Sequence, residues 1–82
     1  MIAYVVATKQ KNKFSLLVLF GDNVRKKRLE LQLSQEELAA RAGLHRTYIG
    51  MIERAEKNIT LINAEKIAIA INCKLTELFN AT

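Results

Sequence analysis

Along the chain a helical spacing of apolar residues begins near Ser15, with Leu16, Phe20, Val24 and Leu31 close to one face. Ahead of it, Ile2 to Thr8 is β-prone and Lys9 to Lys13 is polar and basic. Residues 1–14 therefore form an extension with three readings: a strand, a flexible arm, or sequence upstream of the biological start. From Leu33 to Arg54 the pattern resolves into two short helices joined by one tight turn. Ser34 and Glu37 have the spacing at which each side chain satisfies the other's backbone N–H. Leu38 and Ala39 face inward, Ala39 being small where a second helix must cross closely. Gly43 is the stop, because left-handed backbone costs glycine little. Leu44 then plugs the corner, and Ile49 and Ile52 resume an i, i+3 apolar stripe. After a loop at 55–59, Thr60 is placed to cap a fourth helix reaching about Ile71, and Leu75 to Phe79 suits a short fifth. Five helices, short loops and no proline predict an all-α fold.

On the fourth helix Leu61, Ala64, Ile67, Ala68 and Ile71 are expected to face the chain's own core. Ile62 and Ile69 then fall on the opposite side. Leu75, Leu78 and Phe79 add more apolar surface than so short an element buries alone. Ile62, Ile69, Leu75, Leu78 and Phe79 are thus the expected surface for a second copy of the chain. A slightly rotated helix that buries the isoleucines internally is the alternative.

The polar positions carry the candidate chemistry. His45, Arg46, Thr47 and Tyr48 sit at the exposed start of the second helix of the pair, where a helix presents side chains to a DNA major groove. A helical hairpin with a solvated polar end has the same spacing. The formal net charge of +5 favours a polyanionic partner. Eighty-two residues make one domain, and a chain of this size buries only roughly 60% of its unfolded surface. Half the residues are hydrophobic, so a compact core is feasible with apolar surface left for a partner. The single cysteine, Cys73, excludes an internal disulfide or a cysteine-rich zinc site and fits a reducing cytoplasm. No apolar run approaches the roughly 20 residues that span a bilayer. The run Phe14 to Phe20 is too short for a secretory leader and precedes a poor cleavage context, so a cytoplasmic location is expected. His45 is the only histidine, and no nucleophile motif, phosphate-binding glycine loop or metal-ligand cluster accompanies it. Glu36 and Glu37 suit capping and the helix dipole better than acid–base work. No enzyme, cofactor or metal is expected.

From about Phe20 to Phe79 the sequence resembles the phage-repressor-like (XRE-type) helix-turn-helix regulators. The matching residues are Phe20-Gly21-Asp22-Asn23-Val24-Arg25, Leu33-Ser34-Gln35-Glu36-Glu37-Leu38-Ala39, Ala42-Gly43-Leu44, and Tyr48-Ile49 with Ile52-Glu53-Arg54. More narrowly, Arg46-Thr47-Tyr48-Ile49, Glu53-Arg54 and Asn58-Ile59-Thr60 are similar to the controller proteins of restriction–modification systems. The resemblance implies a five-helix lambda-repressor-like domain over residues 15–82, binding double-stranded DNA as a homodimer at a near-palindromic operator. It implies control of restriction–modification genes and of the protein's own promoter. Arg46 and Thr47 are implied to read base edges; an arginine there can grip guanine O6 and N7, worth about 1–3 kcal/mol of discrimination. His45, at the cap of the same helix, either joins them at the DNA or caps the helix. Ser34, Gln35, Tyr48, Lys57 and Asn58 are implied backbone contacts. Arg28 is implied to pair with Glu53, holding the first helix against the third. Ala55 and Asn72 stand where relatives usually carry glycine. An antitoxin-type or phage-type repressor with a protein partner is the competing function, and RNA polymerase is left open as a further partner.

Overall fold

Four α-helices and one 3-10 helix follow one another: α1 (Ile2–Glu30), α2 (Gln35–Ala42), α3 (Arg46–Glu53), α4 (Leu61–Ala70) and the 3-10 helix Leu75–Phe79. They are seen in a computed structural model that describes the backbone of residues 2–81 and the side chains of residues 16–81. Among the described residues there is no strand. The expected fifth α-helix is instead a tighter coil, as short segments often are. Its carbonyls are drawn inward by Asn23, whose Nδ2 donates to Leu78 O at 2.9 Å and to Asn80 O at 3.0 Å. Helix α1 begins at Ile2 rather than near Ser15. No glycine or proline precedes Gly21, so nothing interrupts helix propagation once it has begun. The flexible-arm reading of the basic stretch Lys9 to Lys13 rests on side chains outside the described residues.

The phase of α1 differs from the expected one. Phe20, Asn23, Val24 and Arg28 are buried, whereas Leu16 and Leu31 are exposed. The cause lies at Gly21, where a Cβ would collide with the Ile52 carbonyl oxygen and lie 3.0 Å from that of Glu53. Helix α1 therefore meets α3 backbone to backbone at Gly21, and that contact sets which stripe faces inward. Leu31 lies beyond the last helical turn. On α4, Ala64, Ile67, Ala68, Ala70 and Ile71 are buried, but Leu61 is 75% exposed and does not reach the core. At 100° per residue it falls between buried Ala68 and exposed Glu65, at the edge of the buried arc. Leu78 is likewise corrected: it is wholly inside the protomer's own core, so a second copy cannot touch it. Phe79 stacks obliquely on Phe20, with ring centroids 5.1 Å apart.

All four α-helices end in the same way. A left-handed residue follows each one: Gln32, Gly43, Ala55 and Asn72, with φ of 59°, 69°, 58° and 57°. Its N–H and the next one fold back onto the last turn, as in Ala55 N to Ile52 O at 3.0 Å and Glu56 N to Met51 O at 2.8 Å. Only one of the four is glycine, and Ala55 is the residue least suited to the geometry. Left-handed backbone costs an L-residue about 1–2 kcal/mol, partly offset by the greater freedom glycine gives the unfolded chain. Ala55→Gly is therefore expected to stabilise the fold by about 0.5–1 kcal/mol, read as a higher Tm in thermal denaturation. An unchanged or lower Tm would show that the loop absorbs the strain at no cost.

Candidate nucleic-acid interface

The pair α2–α3 is held at each end by its own side chains. Glu37 N donates to Ser34 Oγ at 2.9 Å and Ser34 N to Glu37 Oε1 at 2.7 Å, closing the reciprocal cap. The bond from Ser34 N holds the Glu37 carboxyl below the usual carboxylate range. The turn passes through left-handed Gly43, and Leu44 packs against the core. At the start of α3 the Thr47 N–H donates to His45 Nδ1 at 3.1 Å. His45 is thus the helix cap, and the acceptor role of Nδ1 assigns the ring proton to Nε2. Arg46 and Thr47 are exposed on the first turn of α3, while Ile49 and Ile52 on its other face are buried.

A buried ion pair fixes this unit to α1. Arg28 Nε donates to Glu53 Oε2 at 2.6 Å and Nη2 to Glu53 Oε1 at 3.0 Å, both side chains being almost fully enclosed. Arg28 Nη1 donates to Leu33 O at 2.8 Å, so one guanidinium ties the end of α1, the following turn and the end of α3. Gln35 joins the network, its Nε2 donating to Glu53 Oε1 at 3.0 Å. The first residue of α2 is therefore pinned from below, beside first-turn N–H groups that have no partner within their own helix. No buried polar side-chain atom among the described residues lacks a partner.

Tyr48 is half-buried and packs on the core, and its hydroxyl accepts from Asn63 Nδ2 at 3.3 Å, which braces α3 against α4. Lys57 and Asn58 are exposed in the loop after α3. In the same loop Arg54 and Glu56 pair at 3.0 Å, and that hydrogen bond holds the Glu56 carboxyl below its ordinary range. Sequence reasoning found neither Gln35 in the ion-pair network nor the pair of hydrogen bonds from Asn23. For Asn23 a signal existed, a polar residue on the apolar stripe between Phe20 and Val24. For Gln35 none did, because its acceptor lies 18 residues away.

On the outer side of α4, Ile62 and Ile69 are 71% and 65% exposed, and Leu61 extends the patch. Leu75 and Phe79 are only partly buried and pack on the core. A polar cleft of about 190 Å³ lies where α1 meets the 3-10 helix, lined by Asn23, Lys26, Lys27, Glu30, Glu77 and Asn80. Its carboxylates and ammonium groups neutralise one another, and it lies apart from Arg46 and Thr47. Among the described residues there is no cluster of metal-ligating side chains and no helix long and apolar enough to cross a membrane.

Comparison with known proteins agrees with this geometry. A helix-turn-helix family model matches residues 24–78. The chain is 47% identical over 60 residues to control protein C.SmaI of Serratia marcescens, covering 73% of this chain and 71% of that protein. It is 44% identical to control protein C.BamHI of Bacillus amyloliquefaciens, covering 83% and 85%. The crystal structure of the restriction–modification controller protein C.AhdI from Aeromonas hydrophila superposes with a TM-score of 0.75 at 44% identity, over 77% of this chain and 96% of that one. The members of this family are regulators rather than enzymes. The chain belongs to the XRE-type helix-turn-helix family of DNA-binding transcription regulators, alongside the restriction–modification controller proteins.

Proposed function

We propose that the protein is a homodimeric regulator that binds a near-palindromic operator and controls restriction–modification genes together with its own promoter. One observation carries the DNA-reading half: Arg46 and Thr47 stand exposed on the first turn of α3, with Ser34 at the start of α2 and Lys57 and Asn58 in the loop after α3 exposed as well. Arg46 reads a base edge, and Thr47 offers a hydroxyl and a methyl to its neighbour. His45, holding the helix start through Nδ1, presents Nε2 outward as a donor to the same groove. Ser34 and Gln35 place the α2 N-terminus against one phosphate, and Lys57 and Asn58 take the next. Tyr48, braced by Asn63, contacts the sugar–phosphate edge. Residues 15–82 carry both DNA binding and dimerisation, with residues 1–14 as an extension outside that domain.

The exposed apolar patch supports the dimer. Leu61, Ile62 and Ile69 form it, and Leu75 and Phe79, only partly buried, leave further apolar surface on the 3-10 helix. A single recognition helix reads too few bases for useful selectivity, and a two-fold axis through this patch supplies the second. The two copies of α3 are then expected about 34–36 Å apart, one turn of DNA.

Selection of bound sequences from random duplex, followed by titration of two variants, tests the assignment. Arg46→Ala is expected to lose about 1–3 kcal/mol on the selected operator and little on random DNA. Lys57→Ala is expected to weaken both alike and to flatten the dependence of log Kd on log salt by about 0.9. Equal losses on operator and random DNA for Arg46→Ala would remove Arg46 from the base-reading set.

A further inference from the structure

Glu56 breaks a pattern that the other helix ends keep. After α1, α2 and α4, the residue that follows the left-handed position is Leu33, Leu44 or Cys73, and each packs into or against the core. After α3 the same slot holds a carboxylate. Its Oε2 accepts from Arg54 Nε at 3.0 Å, with the two side chains 51% and 56% exposed. An ion pair that open to solvent adds little to stability, so the fold supplies no reason for it. A local rule broken without structural gain points to function.

The other edge of the guanidinium gives a second observation. Gly50 lies in the middle of α3, where glycine is a poor helix former. A Cβ at Gly50 would lie 3.1 Å from Arg54 Nη1 and 3.6 Å from Gln35 Oε1. Arg54 therefore reaches across a bare patch of α3 toward Gln35, at the start of α2. Residues 46, 50 and 54 are four apart, so Arg54 shares a ridge of the helix with Arg46.

Resting on the DNA-binding reading above, we propose that Arg54 is a phosphate contact of the seated duplex and that Glu56 is a specificity-determining residue acting through it. On the free protein the carboxylate neutralises the guanidinium, which removes one cation from the sequence-independent attraction to any duplex. A duplex seated on Arg46 brings a phosphate to the α2 N-terminus beside Gln35, within reach of Nη1, and there the phosphate displaces the carboxylate. Glu56 thereby weakens random DNA more than operator.

Three variants test this: Glu56→Gln, Arg54→Gln and the double substitution, each titrated against random duplex and against the selected operator over a range of salt. Glu56→Gln is expected to bind random duplex roughly three- to tenfold more tightly, with a salt slope steeper by about 0.9, and to gain less on operator. Arg54→Gln is expected to lose affinity for operator, and the double variant to match it. No gain on random duplex for Glu56→Gln, or a gain that persists in the Arg54→Gln background, would overturn the proposal while leaving the DNA-binding reading intact. A wild-type protein that binds neither duplex would overturn both.

Discussion

Ile69→Glu is expected to turn a dimer into a monomer and to abolish operator binding at concentrations where the wild type is fully bound. Ile69 lies on the outer side of α4, seven residues from Ile62, and both are mostly exposed in the protomer. Across a two-fold axis the same patch serves on both copies, so one substitution acts twice. Each buried isoleucine contributes about 1.5–3 kcal/mol. Losing two raises the dimer dissociation constant by roughly 10²–10⁴-fold, before the cost of two carboxylates facing each other. The wild type should weigh about twice the chain mass at micromolar concentration, and the variant should weigh one chain with an unchanged helical spectrum. Since Ile69 lies outside the core, its replacement should leave the protomer folded. A wild-type monomer that binds operator with full specificity would sink the dimer.

Glu53→Gln is expected to destabilise the fold more than any surface change. The carboxylate accepts three hydrogen bonds, two from Arg28 and one from Gln35. An amide in its place presents an N–H₂ to one of those donors and leaves the Arg28 charge enclosed without its counter-charge. Removing one member of a buried ion pair costs about 3–5 kcal/mol. Glutamine keeps one acceptor, so the lower end applies, and Tm should fall by roughly 12–24 °C for a domain of this size. Arg28 also holds the Leu33 carbonyl, so the loss should spread to the turn that leads into α2. Operator affinity measured well below the melt should fall by a smaller factor, because Gln35 loses the group that orients it. A variant that melts with the wild type would show that the enclosed pair contributes no net stability and would free Arg28 for a role at the DNA.

The features legible in the sequence are those closed by short-range bonds. The reciprocal cap of Ser34 and Glu37 spans three residues, as does the cap from Thr60 to Asn63. The left-handed stops at Gly43 and Asn72 close over a few residues more. Those signals place α2, α3 and α4, and with them the polar tip of α3 at Arg46 and Thr47. Arg28 and Glu53 lie 25 residues apart, and family resemblance pairs them where no local rule does.

What the chain could not announce depends on which surfaces meet. Leu16, Leu31 and Leu61 have the spacing of core residues and are exposed, whereas Leu78 looks spare and is fully enclosed. Periodicity defines a face but not its partner. The phase of α1 is set by backbone contact at Gly21 with α3, and the 3-10 helix is shaped by Asn23 on α1. Gln35 on Glu53, and Arg54 beside Gln35 over Gly50, arise only when α1, α2 and α3 are packed together. Sequence by itself determined where α2, α3 and α4 start and stop and which tip is polar, because those choices are made within one turn of chain. The tertiary structure alone decided which residues at the margins of each apolar stripe are core and that Gln35 joins the pair holding α3, because those choices need contacts between segments far apart in the chain.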